Sequence, residues 1–396
     1  MEKMKPELSA QQPSAKLQQS AGAGIEMIAV VLPVFWSMIQ LFAWWKPPLD
    51  AIVFAVMLGV MFPRAMKRIR LNQLHFAVIA AIAGSAAAAG CGMLIQDGTG
   101  LRILGAVLFA AGVALPVWVR RFGEIWKTSG TVFTMPFMAI LVHPVALDQN
   151  AVFFGWELAA VAIALFWTLI VKVIAGEQGI SGTQDSAQPV SAKKHELLSS
   201  TKMAIQLAAA IAAAFLYGEL VDPDHLVWPV LTVLIVHSGN NGRGDLLWKG
   251  IQRTVSALLG VTIASLIAFN MPPGTSIEIV AIFAILVFAA MVREFSYMFW
   301  AVCIPAALVF LYSFFGQTGA ELANHLAHRL LGVATGSAAG IISGFFILPV
   351  RMTDVVRLRL GAVLSAAGDF AVSAARGKAD PVSQKKLESA NNELLH

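Results

Sequence analysis

Two arginines stand in long apolar stretches, where a charge is expensive: Arg253, closing Lys249-Gly-Ile-Gln-Arg253, and Arg329, opening Arg329-Leu-Leu-Gly332. A guanidinium presents a rigid planar fork of donors that matches a carboxylate. The sequence sets Arg253 at the start of an apolar segment on the cytoplasmic side, where a helix N-terminus would add partial positive charge. Together they would hold an organic anion; the plainer alternative is a topology anchor at the membrane surface. Trp228 and Thr232 are the further candidates for substrate binding.

Arg329 begins another apolar segment, and the residue 172 positions earlier is Glu157. Opposite charges at matched positions of two copies could face each other. The expectation is a Glu157–Arg329 pair near the outer end of a pathway, opened by an anion or a proton, against a static structural pair. Glu157 and Glu278 are the proton-coupling candidates, because an intramembrane carboxylate marks a proton relay by default. Glu278 and Glu26 lie near segment ends, so reaching out to water competes with that role. His143 and His237 also lie near segment ends, where a hydrogen-bonded helix-end histidine is the competing explanation.

Other chemistry finds little support. The turn Gly239-Asn-Asn-Gly-Arg-Gly-Asp245 is glycine-rich, but no Gly-Lys-Ser/Thr follows it, so it is not a nucleotide cradle. No G-x-S-x-G or H-E-x-x-H occurs, which argues against a membrane hydrolase, and no enzymatic activity is expected. His325 and His328 have no acidic or thiol ligand at a supporting spacing, so neither a metal nor a cofactor is expected. Cys91 and Cys303 lie inside apolar segments and form no thiol framework.

These residues need a membrane bundle to position them. The chain has 396 residues, 58% hydrophobic and 13% charged. A soluble domain carries about 25% charged residues, so most of this surface must face lipid. The net charge of +5 sits at the ends of apolar segments, which suits positive-inside topology better than nucleic-acid binding. Spanning segments are expected at 25–44, 50–63, 76–95, 101–119, 130–147 and 152–174, then at 201–219, 226–238, 251–270, 276–292, 296–315 and 327–349. The second run in each set is short, as in tilted or broken helices beside a substrate path.

The two sets correspond at offsets of about 172 to 176 residues, and a basic patch follows the second segment of each: Arg64, Lys67, Arg68 and Arg70, then Arg243, Lys249 and Arg253. The expected domains are an N-tail 1–24, a first six-helix repeat 25–175, a Gly/Ser/Gln/Pro-rich linker 176–200, a second repeat 201–350 and a C-tail 351–396. Residues 354–375 read as an amphipathic helix on the membrane or bundle. With both termini cytoplasmic, only Lys46, Arg102 and Arg329 of the 28 Lys and Arg fall outside. Six segments per copy give parallel repeats about an axis along the membrane normal. Trp44, Trp45, Trp156 and Trp228 then mark the outer interface, and Trp118, Trp126 and Trp248 the inner one. Phe35, Trp36, Trp167, Phe299 and Trp300 are weighed as path lining against lipid-facing packing. Gly332, Gly336, Gly340 and Gly344 recur every fourth residue and form a face for close helix packing.

The segment from Trp228 to Pro349 resembles the fusaric-acid-resistance-like (FUSC) membrane family, also called the aromatic acid exporter family. The resemblance rests on Trp228-Pro-Val-Leu-Thr232, the turn at 239–245, Lys249-Gly-Ile-Gln-Arg253 with Gly260, and Arg329-Leu-Leu-Gly332 with Thr335, Gly336, Gly340, Gly344 and Pro349. The chain departs from the family where Gly-Thr is replaced by Ser256-Ala257, and the large cytoplasmic domains of many members have no counterpart here. The resemblance implies proton-driven export of aromatic or other organic acids across a bacterial inner membrane, with a periplasmic adaptor of the membrane-fusion type. The expectation is thus an all-α polytopic bundle of about twelve transmembrane helices, partnered by the lipid bilayer, small organic anions, an adaptor and further copies of itself, and not by nucleic acid. A passive anion channel and a non-transporting assembly protein are the rival functions.

Overall fold

The computed structural model describes residues 13–46, 49–66, 69, 73–96, 101–141, 151–175, 198–240, 242–293, 295–349 and 352–375, with scattered positions between 383 and 390. Thirteen α-helices lie among them: α1 (Pro13–Trp45), α2 (Leu49–Met66), α3 (Leu74–Gln96), α4 (Leu101–Val119), α5 (Glu124–Ile140), α6 (Ala151–Ala175), α7 (Ser199–Val221), α8 (Val227–His237), α9 (Arg243–Ala268), α10 (Ser276–Val292), α11 (Tyr297–Phe314), α12 (Gly319–Phe346) and α13 (Met352–Ala375). The fold is all-α. Eight of the described helices are long and apolar enough to cross a membrane, and α2, α8 and α10 are shorter apolar helices.

Several helices begin earlier than apolarity alone suggests. The first starts at Pro13 rather than 25, α9 at Arg243 rather than 251, and α12 at Gly319 rather than 327. The physical reason is that a hydropathy run marks the part of a helix that meets lipid, whereas the backbone hydrogen bonds continue through polar turns. The first turns of α9 show this. Lys249 Nζ reaches back to Asp245 (2.9 Å) and donates to the Ser238 and Gly239 carbonyls, tying the α8–α9 turn to the helix. Of the expected linker, residues 176–197 lie outside the described residues, as does His143. The expected C-terminal helix is present as α13.

Packing runs within two sets of helices. In the first, α3 packs on α4, α5 and α6, and α2 on α1, α5 and α6, with α1 also on α6. In the second, α11 packs on α9 and α10, and α12 on α7, α8 and α9. The largest seams between the sets are α4 against α7 and α1 against α10, and side chains of α2 and α5 also pack into the cores of the second set. Arg102 and Glu219 form an ion pair of 3.0 Å across the α4–α7 seam. Large apolar side chains are exposed along α1, α3, α4, α7, α9 and α10, as a lipid-facing rim requires, and Trp36 and Phe299 stand on that rim. Helix α8 is the opposite case. It has only 11 residues, nine of them buried, so it is an interior element wrapped by its neighbours. At a rise of about 1.5 Å per residue it covers roughly half of a hydrocarbon core of about 30 Å.

Candidate functional site

Arg253 and Arg329 are each 1% exposed and are the largest fully buried side chains among the described residues. Neither stands at a helix start. Arg253 lies ten residues into α9 and Arg329 ten residues into α12, about 15 Å along each. The expected help of a helix N-terminus at Arg253 is therefore lost, because the polar turn before it is itself helical. The two helices pack together, and Thr254 Oγ1 donates to Ser337 Oγ at 3.2 Å, two helical turns beyond Arg329. The guanidinium groups thus occupy one column through the second set of helices, about two helical turns apart along it.

The surroundings of these cations hold few anions. Arg253 Nη1 makes a long hydrogen bond, 3.5 Å, to the Ala301 carbonyl on α11, and its Nε has no partner. All three nitrogens of Arg329 lack partners. Its guanidinium lies over the Trp228 ring, 4.7 Å from the centroid. Trp228 is therefore buried beneath Arg329 rather than placed in an outer aromatic belt, because α8 is an interior helix. Tyr297 stands near Arg253 and Tyr312 near Arg329, each pair interacting electrostatically. An Arg in mid-membrane costs about 3 kcal/mol on insertion scales even with relief from its neighbours. Two such groups, one without a single hydrogen-bond partner, leave donor capacity for an anion.

A polar seam continues between α8, α9 and α12. Thr232 is buried against Gly336. Ser256 Oγ donates to the Met298 carbonyl (3.2 Å), which gives the departure from the Gly-Thr pattern a local role. His237 meets the Val233 carbonyl through Nδ1 (3.1 Å) and Ser343 through Nε2 (3.5 Å), so it is a satisfied helix-end histidine. The glycine face of α12 makes the approach to α8 possible. A Cβ at Gly332 would run into Trp228 and Pro229, and one at Gly336 into the Pro229 carbonyl. Gly340 lies against His237, and Gly344 faces Leu246 of α9 instead.

The expected Glu157–Arg329 pair is not formed. Glu157 sits on α6, which packs on α1, α2 and α3, whereas α12 packs on α7, α8 and α9. Matched positions face each other only if they lie near the axis relating the two copies, and these positions point into separate helix sets. Glu157 is buried, 2% exposed, and its Oε1 has no partner. Glu278 is also buried but caps α10: its Oε2 accepts from the Gly274 and Thr275 N–H groups at 2.8 and 3.2 Å. That bond explains why it does not reach out to water. Glu26 is half-buried on α1.

The end of the column nearest the α7–α8 corner holds a cluster that sequence spacing hid. Asp222, 106 residues before His328, accepts from His225 Nδ1 through Oδ1 (2.8 Å) and meets His328 Nδ1 through Oδ2 (2.9 Å). The expectation that His325 and His328 have no acidic ligand is corrected for His328: the α7–α8 corner folds over the first turns of α12 and brings Asp222 in. Burial raises the Asp222 carboxyl, but the hydrogen bonds and charges of His225 and His328 outweigh it and hold it below the ordinary carboxylate range. The tyrosines were missed too. The chain has only 3, and two of them flank the buried arginines, so rarity was the available signal.

No curated protein and no solved structure matches the chain. Residues 209–343 match the family model described as Fusaric acid resistance protein-like. The chain is therefore a multi-pass membrane protein that carries a fusaric acid resistance protein-like domain over residues 209–343, and Trp228, Thr232, Arg253 and Arg329 all lie within it.

Proposed function

We propose that this chain is a bacterial inner-membrane secondary transporter that exports small organic anions, aromatic carboxylates among them, in exchange for protons. A transport role in general terms follows from the family. The observation that carries the finer reading is Arg329: a fully buried guanidinium, stacked on Trp228, with no protein partner for any of its nitrogens. A carboxylate would take the fork, and an aromatic ring attached to it would meet the indole. Arg253 forms the second station of the column and Thr232 lines the seam between them. Glu157 and Glu278 each bury an Oε1 without a partner; Glu157, inside α6, is the proton carrier in this reading, whereas the Oε2 of Glu278 is spent on capping α10.

The transporter has two parallel six-helix halves, α1–α6 and α7–α12, with both termini cytoplasmic. Three observations support this plan. The buried positions of α6 (Glu157, Ala160, Val161, Ala164, Leu165, Thr168) become those of α12 when shifted by 172: Arg329, Gly332, Val333, Gly336, Ser337, Gly340. Gly84 of α3 and Gly260 of α9, 176 residues apart, each press on a backbone carbonyl of the partner helix, Phe133 of α5 and Val302 of α11. The seams are matched as well: the fourth helix of each half, α4 or α10, packs on the first helix of the other. In this frame Arg253 replaces Ala77 and Arg329 replaces Glu157, so the cationic column belongs to one half only.

The test is flux of weak aromatic acids from proteoliposomes holding the purified chain. Flux should rise several-fold when a pH gradient is imposed, and Glu157→Gln should remove that response while leaving gradient-free exchange. Flux indifferent to the gradient in the native chain would identify a passive anion channel, and no flux of any acid would leave an assembly role.

A further inference from the structure

The Asp222 cluster has a second use. Two imidazole Nδ1 atoms and both oxygens of one carboxylate converge at that end of the column. One ligand atom from each of Asp222, His225 and His328 lies within 4.8 Å of the others. They come from three separate places: the end of α7, the 3-10 turn Pro223–His225, and α12. The two rings stack nearly in parallel, with centroids 4.2 Å apart and inclined by 11°, and each Nδ1 meets one oxygen of the same carboxylate, so both rings must rotate for their Nδ1 atoms to face one ion. His325 stands edge-on to His225, with ring centroids 5.5 Å apart.

Two histidines and one carboxylate make a donor set of borderline softness, suited to Zn²⁺ and its first-row neighbours rather than to Ca²⁺ or Mg²⁺, which prefer all-oxygen sites. Ligands at about 2.1 Å from a tetrahedral ion stand about 3.4 Å from one another. The Asp–His separations of 2.8 and 2.9 Å open by about half an ångström, and the widest separation in the cluster, up to 4.8 Å, closes by about an ångström or more, when the side chains rotate onto an ion. Access is available as well, since the side chains of Asp222, His225 and His328 are 14%, 17% and 35% exposed.

We propose that Asp222, His225 and His328 form a divalent transition-metal site of the Zn²⁺ class at this end of the column, its fourth position open to water or to His325. An ion there would pin the α7–α8 corner to the helix that carries Arg329. The site stands on its own donor geometry and does not depend on the transport reading, so failure of either leaves the other intact.

The experiment uses the full chain in detergent, stripped with a chelator and titrated with Zn²⁺ by calorimetry, and with Co²⁺ by visible absorption. About one equivalent should bind, and Co²⁺ should give the intense d–d bands of a low-coordinate site. Asp222→Ala and His328→Asn should each weaken binding at least tenfold, while His75→Asn, far from the cluster, should not. If Asp222→Ala is not monodisperse, His225→Asn carries the same comparison. No saturable binding to the stripped chain, or equal affinity in folded His328→Asn, would overturn the site in favour of a purely hydrogen-bonded Asp–His cluster.

Discussion

At the scale of single residues, the informative contrast is between charges that have been satisfied and charges that have been left open. Lys249 spends its charge on Asp245 and on backbone groups at a helix end, and its environment accounts for it; Glu278 spends only Oε2 this way, and its buried Oε1 has no partner. Arg329 spends none of its nitrogens this way, and an unpaired buried charge works against folding. Stability and function should therefore separate at this position. Arg329→Met is expected to keep or raise the thermal midpoint in detergent while lowering aromatic-acid transport at least tenfold, and Arg329→Lys should fail to restore it, because an ammonium offers no planar fork. A midpoint that fell by many degrees with transport intact would make Arg329 a structural residue. That Arg253 and Arg329 lie in apolar surroundings was legible in the sequence, because Arg stands out there by type alone. Their depth was not: Arg329 read as the first residue of a segment because the ten helical residues before it are polar enough to end a hydropathy run. Asp222 was illegible for a different reason, since its partnership with His328 depends on a corner that tertiary packing closes.

Helices bring those residues together through contacts that tolerate no side chain. Gly84 on α3 and Gly260 on α9 each sit beneath a carbonyl of the neighbouring helix. If the halves repeat one design, the two positions should respond alike. Gly84→Ala and Gly260→Ala are each expected to destabilise the folded chain by about 1–3 kcal/mol, the usual cost of overpacking, read as parallel drops in the thermal midpoint. A large drop at one and none at the other would break the equivalence. The Gly332–Gly344 spacing was readable as a packing face, yet the sequence did not show that its last member would turn to α9 rather than α8. The short second segments were also visible in advance. What apolarity could not show is that α8 would become an interior helix while α10 stayed largely on the rim.

At the scale of the whole molecule, orientation decides what the column can do. Native Cys91 and Cys303 are buried, which gives a quiet background for labelling. A membrane-impermeant maleimide should modify Thr318→Cys, in the exposed turn before α12, in intact cells. Ser238→Cys, in the exposed turn after α8, should react only after the cells are opened. The reverse pattern would invert the topology. This layout also makes the brevity of α8 consequential. Its ends meet exposed turns at Pro223 and at Ser238–Gly239, yet the helix between them is only about 16 Å long. If the aqueous phases follow those turns inward, the membrane voltage drops over about half its usual distance, and the electric field across Trp228, Thr232 and Arg329 is about twice that in the surrounding lipid. A full crossing still yields about 2.3 kcal/mol per charge per 100 mV. Here that work is concentrated on the one stretch where an anion would exchange one arginine for the other, so an inside-negative potential would pull hardest at the step that most needs it.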